Sequence, residues 1–87
     1  MIAIHVEAVD GDVVHRATWK GDPARWPGTP RRGDFIDLVV FMLPVDRVVW
    51  TLTGVEVYMV ATPDHLKRLP AVGGWEHTVR EREATTL

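Results

Sequence analysis

Two imidazoles and a carboxylate, His5, Glu7 and His15, flank the acidic turn Asp10-Gly11-Asp12 near the start of the 87-residue chain. Such a set can hold Zn²⁺ or Fe²⁺ with open coordination positions. The first hairpin is therefore a candidate for a metal-dependent enzyme. Side chains alternate between faces along a strand, so the pairing register decides the matter. If the turn spans three residues, Val9 pairs with Val13, His15 lies opposite Glu7, and His5 is diagonal on the same face. A two-residue turn that pairs Val9 with Asp12 puts His15 opposite Val6 and dissolves the cluster. A solvated polar face is the simpler outcome, so no metal, cofactor or catalytic residue is assigned. His65 and His77 are expected at the surface.

A second constellation lies between residues 16 and 32. Arg16, Lys20, Arg25, Arg31 and Arg32 face only Asp22, a net of +4 in a chain whose total is −2. Trp19 and Trp26 sit inside this segment. Arginine and tryptophan together grip phosphate and stack on bases, and they are enriched where proteins bind proteins. Trp19, Arg25, Trp26, Arg31 and Arg32 are the candidate binding residues. The plainer account has Trp26 folded back over the core with the arginines solvating the loop. The acidic total argues against nucleic acid, since phosphate binding is favoured by a positive field.

What is absent narrows the chemistry further. The chain has no Cys, Ser, Asn or Gln. Disulfides, thiolate and serine nucleophiles, Cys-based metal sites and the amide side chains that read adenine all go with them. With 8 Arg to 2 Lys, these absences also look like coding in a GC-rich genome. No pair of carboxylates is fixed on one face by spacing. Asp34 is expected to anchor a turn through backbone amides, and Asp37, three residues on in a strand, points the other way. An enzyme is not expected, and no small-molecule substrate is evident.

These residues must be positioned by strands. Val, Ile and Thr account for 25 of 87 residues, and β-branched side chains favour strands. Residues 2–9 alternate, with Ile2, Ile4, Val6 and Ala8 on one face, and Val13 to Trp19 return after the turn. Residues 20–33 carry so much Gly and Pro that a long loop is expected. Phe35–Met42 reads as one buried strand, closed by Leu43-Pro44. In 46–52, Val48, Trp50 and Leu52 are expected inward. After a tight turn at Thr53-Gly54, Val55, Val57 and Met59 share a face. Thr62-Pro63-Asp64 starts a short helix, with Thr62 as cap and Pro63 in the first position, and Pro70 stops it. Trp75–Glu81 alternates as a last strand after Gly73-Gly74.

Pro30-Arg31-Arg32-Gly33-Asp34-Phe35-Ile36, leading into a strand, resembles the opening of small barrels of the Src-homology-three-like kind. Arg47-Val48-Val49-Trp50, a tight turn, Val55-x-Val57 and the helical turn continue the resemblance across residues 30–81. The hairpin at 2–19 departs from it. The resemblance implies a module that binds peptides, nucleic acids or proteins, and it carries over no site.

The expected fold is mainly β: a small, partly open barrel of five or six antiparallel strands with one short helix near residues 63–69. Residues 1–82 form one domain and 83–87 a flexible tail. The longest apolar run, Leu38–Val45, is too short to cross a bilayer. Met-Ile-Ala-Ile-His lacks the basic and apolar regions of a signal peptide. A cytoplasmic location, or one within a virion, is expected, without a membrane partner. The expected function is a non-catalytic protein-binding or assembly adaptor, self-associating or part of a phage or bacterial assembly. The alternatives are a nucleic-acid-binding barrel using the Arg/Trp loop 19–33 and a metal-dependent enzyme on the first hairpin.

Overall fold

The computed structural model describes residues 1–22, 26, 28–38, 40–69 and 73–81. The expectations for Arg25, Pro70 and the tail at 83–87 lie outside the described residues. Among those described there are seven strands and one helix: β1 (Ile2–Asp10), β2 (Val13–Gly21), β3 (Phe35–Asp37), β4 (Met42–Pro44), β5 (Arg47–Thr51), β6 (Gly54–Val60), α1 (Pro63–Arg68) and β7 (Glu76–Glu81). Five strands form one sheet in the order β5-β6-β1-β2-β7, and β3 and β4 form a separate ribbon. The mainly β class with one short helix at 63–68 stands.

One part of the expected architecture is corrected. The central pair β1–β6 is parallel, with Ile2 opposite Val55 and Val6 opposite Met59, so the strands are not all antiparallel. The larger sheet is open, with β5 and β7 as its two edges. Parallel pairing needs a long crossover. The chain supplies one, because residues 22–53, including the β3–β4 ribbon and β5, separate β2 from β6.

The β1–β2 hairpin adopts neither anticipated register. Asp10 pairs with Val13 around Gly11-Asp12, Glu7 pairs with Arg16, and His15 lies opposite Ala8. Gly11 at φ 61° supplies the left-handed backbone that a two-residue hairpin turn requires. The run 35–42 is not one strand. Asp37 and Met42 face each other across a turn closed by the Leu38 N–H donating to the Phe41 carbonyl at 2.8 Å, which turns the ribbon back on itself.

The core lies on one face of the large sheet. Ile2, Ile4, Val6, Ala8, Ala17, Val55, Val57 and Met59 project from it, as their alternation foretold, and meet Ile36, Leu38, Leu43 and Val45 from the ribbon and Leu66 and Leu69 from the helix. A six-residue helix is marginal alone and depends on this packing. Its start is fixed by a capping box: Thr62 Oγ1 accepts from the His65 N–H, and His65 Nδ1 accepts from the Thr62 N–H at 3.2 Å. The His65 ring stacks on Phe41 at 4.6 Å, so it is only partly a surface residue. Asp34 anchors its turn as expected, its carboxylate accepting from the Arg31 N–H at 2.9 Å. The expected inward placement of Trp50 and Leu52 fails. Trp50 is on the core side of the sheet but beyond the core's reach, at 70% exposure, and Leu52 stands at the tip of the β5–β6 turn, which comprises Leu52-Thr53.

Candidate functional site

Among the described residues no element covers the opposite face of the large sheet, here called the open face, and its central residues form one polar network. His5, on the central strand, is only 7% exposed. Its Nδ1 lies 2.9 Å from the Thr18 hydroxyl on β2 and its Nε2 lies 3.0 Å from the Glu56 carboxylate on β6. The ring stacks on Tyr58 at 4.7 Å, and the Arg47 guanidinium lies over the Tyr58 ring at 4.2 Å. The register accounts for this layering: His5 pairs with Thr18 and with Tyr58, and Tyr58 pairs with Arg47.

Next to His5 on the same face is Glu7. Arg16 donates to one of its oxygens through Nε at 3.2 Å and Nη2 at 2.9 Å. Arg47 from one edge strand and Arg80 from the other come to 3.9 and 3.8 Å of the same carboxylate.

The Thr18–His5–Glu56 chain places a hydroxyl, an imidazole and a carboxylate in hydrogen-bond sequence, the order a nucleophile, a base and an orienting acid would need. Among the described residues, the backbone next to Thr18 does not complete such a site. Thr18 lies mid-strand, paired with His5 on one side and Glu76 on the other, so the local backbone is held in sheet ladders rather than aimed at a developing oxyanion.

The alternative metal set of His5, Glu7 and His15 is not assembled. His5 and Glu7 lie on the open face, whereas His15, opposite Ala8, is on the core side. Among the described residues no group of three or more His, Cys, Asp or Glu could hold a metal ion.

The predicted Trp/Arg patch is divided. Trp19 and Trp26 approach each other at 6.4 Å between ring centroids and pack against the flank of the core. With Trp75, Ile4, Ile36 and Leu38 they wall an apolar pocket of about 220 Å³. Arg31 and Arg32 border a different concavity, beside Arg47, Val48 and Trp50 on edge strand β5. Thr29 and Pro30 adjoin that concavity and also a depression next to Trp26, so the two halves flank one loop.

Sequence reasoning missed Trp50 as a surface residue and missed the grouping of Arg16, Arg47 and Arg80 around Glu7. Trp50 carried the correct alternation, but β5 is an edge strand and its outer end has little above it. The arginine grouping had no local signal, because Arg47 and Arg80 reach Glu7 from strands that no sequence spacing relates.

No helix among the described residues is long and apolar enough to cross a membrane. Comparison of the chain with family models, with curated proteins and with solved structures finds no match.

Proposed function

We propose that this chain is a non-catalytic assembly module that joins a protein partner, in the first place a second copy of itself, by strand addition at β5. The observation that carries this reading is the contrast between the two sheet edges. β7 offers Glu76, Arg80 and Glu81, the kind of charged edge that resists unwanted pairing. β5 offers Arg47-Val48-Val49-Trp50-Thr51, with a single charge and no proline. An unguarded edge with an exposed tryptophan is a template for another strand.

The sequence of β5 suits pairing with itself. In an antiparallel arrangement centred on Val49, Val48 faces Trp50 of the second copy and Arg47 faces Thr51, so no like charges oppose each other. The contact is isologous, as most homodimer contacts are. Arg31 and Arg32, already singled out in the sequence, border the same surface and would sit at its rim. Apolar and aromatic cross-strand pairs contribute roughly 0.2–1 kcal/mol each, and a central tryptophan more when it is fully covered.

The test is sedimentation equilibrium on the wild-type chain and on Trp50→Lys, which places a charge on the edge. Trp50 lies largely outside the core, so the variant is expected to fold. Association in the wild type that weakens at least about tenfold in the variant supports the reading. A wild-type chain that stays monomeric into the high micromolar range removes self-association. Association unaffected by Trp50→Lys moves the contact away from β5.

A further inference from the structure

We propose that the open face of the sheet holds an oxyanion site for phosphate monoesters, built by Arg16, Arg47 and Arg80 around Glu7. Three guanidiniums from β2, β5 and β7 converge on one carboxylate from β1. Arg47 and Arg80 start from the two edges of the sheet, each two strands away from Glu7, and both lie inward across its face. One carboxylate against three guanidiniums leaves an excess of two positive charges.

The donors are also in surplus. A guanidinium carries five N–H donors, and Arg16 directs two of its own at Glu7. Arg47 and Arg80 stand at 3.9 and 3.8 Å, outside hydrogen-bond reach of that carboxylate, with side chains 60% and 67% exposed. They are held without being saturated. Arg47 is fixed by its stacking on Tyr58, itself stacked on the hydrogen-bonded His5. Arg16 is fixed by Glu7. Arg16 and Arg47, held in place, with the exposed fork of Arg80 beside them, suit a tetrahedral oxyanion, since guanidinium forks match phosphate oxygens in pairs.

The excess of two charges matches a dianionic monoester better than a singly charged diester or carboxylate. Glu56 bears on it less, because it lies in register with Ala3, four residues along β1 from Glu7. Lys20 and Glu76, the remaining charges of this face, balance each other. The site shares Arg47 with β5, but it uses the guanidinium beside Glu7 and Tyr58 on the sheet face rather than the edge backbone, so it stands without the edge contact.

The experiment follows the arginine Nε–H resonances and the core amides of the ¹⁵N-labelled chain. The probes are inorganic phosphate, glycerol 2-phosphate, dimethyl phosphate and acetate, at matched ionic strength in chloride. Saturable shifts at Arg16, Arg47 and Arg80 with phosphate and glycerol 2-phosphate, at least about tenfold weaker with dimethyl phosphate and acetate, are expected. The double variant Arg47→Ala/Arg80→Ala should lose the saturable shift while its core amides stay in place, and Arg31→Ala/Arg32→Ala should keep it. If the double alanine variant fails to fold, Arg47→Lys/Arg80→Lys retains the charge without the forks and is expected to bind more weakly. No saturable shift at these arginines overturns the proposal. So does a diester that binds as well as the monoester, which would indicate a nucleic-acid backbone, or undiminished binding in the variants.

Discussion

Replacing His5 with Phe removes the two polar contacts of the central imidazole and leaves an aromatic ring to stack on Tyr58. The magnitude follows from what each contact is. The contact with the Thr18 hydroxyl at 2.9 Å is a single side-chain hydrogen bond, and such a bond contributes about 1 kcal/mol net. The contact with Glu56 at 3.0 Å involves a carboxylate whose side chain is 35% exposed, so water can replace much of what is lost. After that discount it adds about 1 kcal/mol. His5→Phe is therefore expected to destabilise the chain by about 2 kcal/mol, which for a domain of this size lowers Tm by roughly 8–16 °C. Thr18→Val should cost about 1 kcal/mol. In a double-mutant cycle followed by urea unfolding, the His5–Thr18 coupling should be about 1 kcal/mol. A His5→Phe variant within about 0.5 kcal/mol of wild type, or a coupling near zero, would refute the view that this network organises the open face.

Other perturbations probe the frame that carries it. Thr62→Ala removes the cap of α1 and should cost about 1 kcal/mol in urea unfolding. Gly54→Ala should be more damaging, above about 2 kcal/mol, because a Cβ there would run into the backbone of Met1 at a φ of 155° that side chains rarely adopt. Leu69→Ala, at a fully buried position, should cost about 2–5 kcal/mol, whereas Leu52→Ala, at 107% exposure, should stay within about 0.5 kcal/mol by the same measurement.

The buried face of the fold was legible because it is written in local alternation. Ile2, Ile4, Val6 and Ala8, and later Val55, Val57 and Met59, reach the core as their period of two requires. The helix was legible because Thr62 and Pro63 are punctuation with a mechanism. Long-range pairing was not. Nothing near Ile2 says that its neighbour is Val55, running parallel. The hairpin register also escaped, since two flexible turn residues, Gly11 and Asp12, leave several pairings open and the core then selects one. Phe35–Met42 misled for a related reason: an apolar run does not say where it bends. The candidate site was legible only in its residue types. Arg31 and Arg32 line a concavity with Trp50 on β5 rather than with Trp26 in their own loop.

The most direct test of the assembly reading is an isotope-filtered nuclear Overhauser experiment on an equal mixture of labelled and unlabelled chain, at a concentration where the wild type associates. Strand addition at β5 gives intermolecular contacts between Val48 and Trp50 and between the two copies of Val49. Intermolecular contacts confined to the pocket of Trp19, Trp26 and Trp75, or to β7, would contradict it.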